Sequence, residues 1–189
     1  MKLIILDRDG TINHDRDDYV KSADEWLPLD GALEAIAKLN QAGFTTVVAT
    51  NQSGLGRGLY GMTELNAMHG KMHDLLKSAG GRIDAIFFCP HDPTVEVCDC
   101  RKPLPGLFTQ IRERYGADMR QVHSVGDTLR DLQAGAAVGC LVHLVRTGKS
   151  EFKVPDDLPV GTIIHADLMA FANWIISHER LSATEKPAA

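Results

Sequence analysis

The chain has 189 residues, of which 44% are hydrophobic and 24% charged, values of an ordinary folded unit rather than of a disordered or fibrous chain. Lys and Arg number 20 against 25 Asp and Glu, a formal charge of -5, so no diffuse basic surface is available to a nucleic-acid backbone and no nucleic-acid partner is expected. No apolar run approaches a membrane-spanning length, and the run before Asp7 is too short for a signal-peptide core. A cytoplasmic protein without a membrane partner is expected.

Residues 2–6 form a short apolar, β-branched run without alternation, the pattern of a strand buried on both faces of a parallel sheet. Asp30 can cap a helix over 31–41, where Leu33, Ile36, Ala37 and Leu39 make an apolar stripe that Gly43 ends. A second strand is expected at 45–49, a helix at 64–77 capped by Thr63, and a third strand at 83–88. Pro105-Gly106 opens a helix at 107–115, strands at 122–125 and 141–145 enclose a helix at 129–137, and a last helix fits 166–178. This alternation predicts a Rossmann-like α/β fold: a three-layer α/β/α sandwich with a mainly parallel sheet and no large cap, one domain over 1–180. Residues 181–189 carry no periodicity and are expected to be a flexible tail.

Such sheets bind ligands beyond the carboxyl ends of their strands, and the polar motifs of this chain follow its expected strands. Asp7-Arg8-Asp9-Gly10-Thr11 sets two carboxylates two residues apart, on one side of an extended chain. Alone, the tripeptide would read as a turn whose carboxylates accept backbone N–H groups. Its company points to phosphorus chemistry instead. One carboxylate can attack phosphorus to give an aspartyl-phosphate, and a second, protonated, can release its proton to the departing alcohol. Two anions facing a phosphate require a cation, and Asp127, ending another strand, would complete an oxygen cage for Mg2+. Thr50 and Lys102 offer a hydroxyl and a point charge to the phosphoryl oxygens.

Cys89, His91, Cys98 and Cys100 offer three thiolates and one imidazole, the ligand set of a closed structural Zn2+ site. Disulfides are not expected in a reducing compartment. With no open position, such a zinc would fix the loop 89–102 and pre-position Arg101 and Lys102, which follow the last ligand directly. Cys140 stands apart as a small core residue. His14, His69, His73, His123, His143 and His165 show no paired metal spacing and read as surface or core fillers.

In order, the segments at Asp7 to Thr11, at Thr50, at Lys102 and at Gly126-Asp127-Thr128-Leu129-Arg130-Asp131 resemble the four motifs of the haloacid dehalogenase-like phosphatases. The resemblance implies Asp7 as nucleophile, Asp9 as general acid and then base for the hydrolytic water, and Mg2+ held by Asp7, the Asp9 carbonyl and Asp127. It implies Thr50 and Lys102 as stabilisers of the phosphoryl group. Asp131 either orients Lys102 or an outer water, or is simply an acid favoured at a helix N-terminus.

Within the family, Asp-Arg-Asp-Gly-Thr-Ile-Asn, Thr-Asn-Gln-Ser-Gly and the cysteine loop are similar to enzymes acting on a bisphosphorylated sugar. That similarity implies a phosphorylated-sugar partner touched by Asp15, Arg16, Asp17, Asp18 and Tyr19, by Thr50, Asn51, Gln52 and Ser53, and by Arg101. Thr128, where some relatives carry lysine, joins these contacts. Arg57 is added on charge alone, because an acidic protein that binds a bisphosphate needs local cations. Without a cap, loops around the rim must set specificity. An amino-alcohol phosphate is the alternative substrate. A phospho-acceptor signalling module is the alternative of another class, although an acid at Asp9 favours rapid hydrolysis over a lasting phosphoaspartate. No surface pattern demands a dimer, and a monomer is expected.

Overall fold

The structure, a computed structural model, describes residues 1–184, with side chains up to Glu179. Strand and helix alternate as β1 (Leu3–Leu6), α1 (Ala32–Gln41), β2 (Thr45–Asn51), α2 (Met62–Ser78), β3 (Ala85–Cys89), α3 (Gly106–Tyr115), β4 (His123–Gly126), α4 (Leu129–Ala137), β5 (Leu141–Val145), β6 (Ile163–His165) and α5 (Leu168–Thr184). All the strands pair in parallel, in the order β3-β2-β1-β4-β5-β6. The chain builds outward from β1 to β3, then crosses back to place β4 on the other side of β1. This reversal opens a crevice beside the end of β1, the position at which open α/β sheets bind ligands.

Successive residues of a strand face opposite sides, and β1 shows why its run carries no alternation. Ile4 and Leu6 pack with residues of α1, α2 and α5, whereas Leu3 and Ile5 pack with residues of α3 and α4. Both faces are core. The register aligns Leu6 with Val48 of β2 and Val125 of β4, so Asp7, Ala49 and Gly126 form the next row and the polar motifs emerge together.

The helix starts differ from expectation at two caps. Gly31, not Asp30, is the N-cap of α1, with a left-handed φ of 73° and no side-chain bond; a residue without Cβ makes that turn and leaves Asp30 outside it. Thr63 lies inside α2, because the Glu64 carboxylate accepts the Gly61 N–H at 2.8 Å and the helix is capped two residues earlier, at Gly61. The short edge strand β6 was not legible: it has three residues, two of them exposed. Helix α5 continues through Thr184, into the segment expected as a tail; residues 185–189 lie outside the described residues. Among the described residues, no helix is long and apolar enough to cross a membrane.

Candidate active site and cysteine loop

A cavity of about 260 Å³ opens beyond the carboxyl ends of the central strands and is lined by Asp7, Asp9, Thr50, Lys102, Asp127 and Asp131. Lys102 joins three of its walls. The Nζ lies 2.7 Å from Asp7 Oδ1, 2.6 Å from Asp131 Oδ1 and 2.7 Å from the Ala49 carbonyl, in a side chain that is almost fully buried. Burial alone would favour the neutral amine, but Asp131 and Asp7 outweigh it and hold the lysine charged well above its usual range. Asp131 also accepts the Thr128 N–H at 2.9 Å and the Thr128 hydroxyl at 2.6 Å. It therefore orients Lys102 and caps α4 at once, uniting the two readings of this residue. Thr128 lines the cavity with its hydroxyl committed to that cap.

One lysine does not balance the acids around it. Asp7, Asp127 and Asp131 each present an oxygen within 4.8 Å of the others. Burial first, and then Asp131, push Asp7 up to about 7 against the pull of Lys102. Burial, Asp131 and Asp7 push Asp127 up to about 9. Asp127 Oδ2 accepts the Lys149 N–H at 2.7 Å, while its buried Oδ1 has no hydrogen-bond partner. Asp131 spends both oxygens on Lys102 and Thr128. Free lone pairs thus remain on Asp7 and Asp127, and hard carboxylate oxygens short of a counter-charge fit a small divalent cation.

Asp9 is in the opposite state. Burial would raise it, but the Arg8 guanidinium outweighs that, with Asn13 and Gln52 donating as well, and Asp9 is held below the usual carboxylate range. Arg8, itself buried, reaches both carboxylate oxygens at 2.8 and 3.0 Å. The Asn13 amide donates at 2.9 Å and the Gln52 amide at 2.8 Å. The polar end of β2 divides its labour. Asn51 clamps the backbone of Lys102, accepting its N–H at 3.0 Å and donating to its carbonyl at 3.1 Å. Gln52 donates to both Asp9 and Thr50 and accepts from Tyr60. Thr50, buried, accepts from Gln52 and keeps its own O–H free. Asn51 and Gln52 line the cavity as expected, yet their polar side-chain atoms are occupied in holding neighbours.

On the rim, Asp15, Arg16, Asp17, Tyr19, Ser53 and Arg101 line the cavity. Tyr19 holds a left-handed φ of 68°, a strain of the kind found where a loop is shaped for a ligand. Two expected contacts lie elsewhere. Asp18 points away, exposed, and pairs with Arg16 at 3.0 Å and Lys21 at 2.8 Å. Arg57 is turned to Asp92 at 3.0 Å, because a carboxylate closer than the cavity captures its guanidinium; it ties the glycine-rich loop to the cysteine loop instead.

The sequence did not point to Arg8, Tyr60, Arg130 or Lys149, which also line the cavity. Lys149 bridges Asp15 at 3.1 Å and Asp17 at 2.6 Å, fastening the acidic loop to the segment after β5. Arg101 and Arg130, by contrast, have no carboxylate within ion-pair distance among the described residues, and Arg101 Nη1 is buried without an acceptor.

The four cysteine-loop ligands converge. Cys89 Sγ lies 3.5 Å from His91 Nδ1 and 3.7 Å from Cys98 Sγ, and Cys100 Sγ lies 3.2 Å from His91 Nδ1. Zinc–sulfur and zinc–nitrogen bond lengths give a tetrahedron with edges of roughly 3.4–3.8 Å, so the spacing suits one ion. The thiols are free, and Cys89 Sγ and Cys98 Sγ are too far apart for a disulfide. Burial and the neighbouring thiols raise Cys100, whereas the Arg101 N–H and the other ligands outweigh burial at Cys98 and bring it to about 7. His91 turns its other nitrogen to Glu96 at 3.5 Å, an arrangement that orients a ligating imidazole. The residues fit a closed, thiolate-rich metal site. Cys140 is buried in the core, its thiol raised by burial to about 12.

The profile of the haloacid dehalogenase-like hydrolases matches residues 3–139. The chain belongs to this family. Among members of the family, a Bordetella bronchiseptica protein named D-glycero-beta-D-manno-heptose-1,7-bisphosphate 7-phosphatase is 54% identical over 177 residues, 93% of this chain and 98% of its own. A Pseudomonas aeruginosa protein of the same name is 49% identical, covering 92% of this chain and 97% of its own. The crystal structure of D,D-heptose 1,7-bisphosphate phosphatase from B. bronchiseptica, complexed with magnesium and phosphate, superposes with a TM-score of 0.91 at 53% identity, over 94% of this chain and 99% of that one. A family fold shared at this level carries the whole sheet and its rim.

Proposed function

We propose that this chain is an Mg2+-dependent phosphatase that removes the 7-phosphate of D-glycero-D-manno-heptose 1,7-bisphosphate through an aspartyl-phosphate on Asp7, in the synthesis of nucleotide-activated heptose for the lipopolysaccharide core. The carrying observation is the Asp7–Lys102–Asp131 bridge beside the unpartnered Asp127 oxygen, found in a chain about half identical, along nearly its full length, to relatives named for that activity. The names of those relatives favour the β anomer.

Asp7 attacks phosphorus, and its contact with Lys102 places the lysine charge beside the phosphoryl oxygens as they gain negative charge. Thr50 gives its free O–H to the same group. Asp9 rests ionised, ready to take the proton of the hydrolytic water; as acid for the first step it acquires its proton as the phosphate dianion approaches, since a nearby anion favours the neutral acid. Mg2+, held by Asp7, the Asp9 carbonyl and Asp127, would supply the positive charge that lets two anions meet. Zn2+ on Cys89, His91, Cys98 and Cys100 would hold the loop carrying Arg101 and Lys102. The second phosphate finds cations in Arg101 and Arg130, which are left without carboxylate partners, and a bidentate guanidinium suits it. Asp15, Arg16, Asp17, Tyr19 and Ser53 complete the sugar contacts. The unit spans residues 1–180 and works as a single chain.

The test is phosphate release with Mg2+ from both anomers of heptose 1,7-bisphosphate beside histidinol phosphate and fructose 1,6-bisphosphate, with product regiochemistry by phosphorus NMR. Selective loss of the 7-phosphate is expected. A higher kcat/KM for histidinol phosphate would overturn the substrate, and a long-lived phosphorylated Asp7 without turnover would overturn the enzyme.

A further inference from the structure

Gln52 is held at three points. Its Oε1 accepts the Tyr60 hydroxyl at 2.6 Å, and its two Nε2 hydrogens go to Asp9 Oδ2 and Thr50 Oγ1, each at 2.8 Å. An ionised carboxylate only accepts, so Asp9 can face only the Nε2 end of the amide. The carbonyl end is therefore left to Tyr60, and the phenol is the donor. Because Thr50 already receives one of the amide hydrogens, its own O–H turns away from Gln52, toward the cavity that both residues line.

We infer that Tyr60 is a positioning residue for phosphoryl transfer, acting by fixing the amide of Gln52 so that it aims the Thr50 hydroxyl and holds the Asp9 carboxylate. This rests on the reaction proposed above and adds a residue to its machinery. Without the Tyr60 hydroxyl, Oε1 of Gln52 is a buried acceptor with no other donor among the described residues, and the amide loses the bond that restrains its far end. The phenol is well suited to the task. It is 8% exposed, and burial, with Asp9 opposing the help of Arg8, lifts its hydroxyl to about 12, so it remains a donor at any working pH.

Gly54 carries the same conclusion independently. A Cβ built on Gly54 would stand 2.3 Å from Tyr60 Cε1, a distance no real side chain tolerates, so the ring lies directly against the backbone of the loop that carries Gln52. The Leu59 N–H bonds to the Gly54 carbonyl at 2.9 Å and closes the turn that returns Tyr60 beneath the site. The glycine in the Thr50-Asn51-Gln52-Ser53-Gly54 run is thereby explained by a ring six residues further on.

Tyr60→Phe deletes only the donor. With heptose 1,7-bisphosphate and Mg2+, kcat should fall about tenfold while KM stays within about twofold, because the loss is one of alignment rather than of substrate contact. Gly54→Ala, which displaces the ring, should move kcat in the same direction. The deciding measurement is a cycle with Gln52→Ala. If Tyr60 acts through Gln52, Tyr60→Phe costs nothing further once Gln52 is gone. Effects that multiply in the double variant, a loss that appears in KM alone, or a Tyr60→Phe enzyme as fast as wild type would overturn the inference. A wild-type protein that releases no phosphate would overturn the underlying reaction instead, so the two failures are distinguishable.

Discussion

Two carboxylates two residues apart, Asp7 and Asp9, end in opposite electrostatic states because of what surrounds each. Asp7 shares buried space with Asp131 and is raised to about 7, whereas Asp9 is gripped by Arg8, Asn13 and Gln52 and held low. Held low, Asp9 rests as the carboxylate that can take the proton of the hydrolytic water, whereas Asp7, raised by burial and Asp131, needs a cation beside it to attack as its anion. Asp7→Asn removes the attacking oxygen anion but also relieves like-charge crowding, so turnover should fall on the order of a thousandfold or more while the melting temperature is not lowered. Phosphate release unchanged in this variant would refute the mechanism. Asp9→Asn keeps the shape of the side chain but cannot carry the proton, and should cost about 10²–10⁴ in kcat. A single-turnover assay distinguishes the steps: loss confined to hydrolysis of the phosphoenzyme would assign Asp9 mainly to the base half.

Among the elements, β4, β5 and β6 carry a feature that the spacing of histidines concealed. His123, His143 and His165 stand on adjacent strands, with His123 Nδ1 2.9 Å from His143 Nε2 and His143 Nδ1 3.0 Å from His165 Nε2. Phe171 and Trp174 of α5 pack over the three rings. A neutral imidazole has one donor and one acceptor, so the row is satisfied when each ring donates in the same direction. Burial lowers His123 to about 4 against the pull of Glu179, lowers His143 to about 2 with His123 and His165 adding to it, and lowers His165 against Asp167. Above pH 6.5 these rings are neutral folded or unfolded and have no pH effect. Below it the unfolded chain gains protons that the native rings refuse, so stability falls with pH, by roughly 2 kcal/mol for each of His123 and His143 between pH 6.5 and 5. The raised rim acids Asp7 and Asp127 act in the opposite sense over the same window, so the comparison isolates the row: the wild-type urea midpoint should fall relative to that of His143→Gln as pH goes from 6.5 to 5, and identical slopes would sink this account.

The cysteine loop makes a parallel prediction. Cys98→Ser should abolish zinc retention and, by releasing the loop that ends in Lys102, lower turnover at least about tenfold without touching substrate. Zinc content by elemental analysis beside kcat checks it, and full activity without metal would exclude a structural ion. These two elements show what was legible. The cysteine spacing is local, so the cluster could be read; the histidines lie 20 and 22 positions apart and meet only through strand order. Likewise Asp7, Thr50, Lys102 and Asp127 were legible because each ends a hydrophobic strand or follows a tight motif. Tyr60 and Lys149 arrive on connections whose paths no periodicity describes, Arg130 stands in the first turn of α4 where the helical pattern does not single it out, and Arg57 was misplaced because Asp92 competes for it.

At the scale of the molecule, the rim gathers acids at a single point, and the fold bears their repulsion. Gly10 and Gly148 let three segments close on Asp127: a Cβ on either glycine would lie 2.3 Å from Asp127 Oδ2, and one on Gly148 would also meet Gly10 Cα at 2.5 Å. The Ser150 hydroxyl donates to the Asp127 backbone carbonyl at 2.5 Å and the Lys149 N–H to its Oδ2 at 2.7 Å. So tight a cradle fixes the carboxylate but leaves its Oδ1 without a donor. A divalent cation that binds only the folded chain must stabilise it, by about 2.7 kcal/mol at a hundred times its Kd. For a chain of this length that corresponds to a rise of about 5–10 °C in Tm. Melting curves in EDTA and in millimolar Mg2+ should differ by that amount. Asp127→Asn should melt above the wild type in EDTA, since folding then no longer has to neutralise a carboxylate that is ionised in the unfolded chain, and should lose the response to Mg2+. A wild-type protein indifferent to Mg2+, or an Asp127→Asn variant that still responds fully, would show that the carboxylate cluster is not where the cation sits.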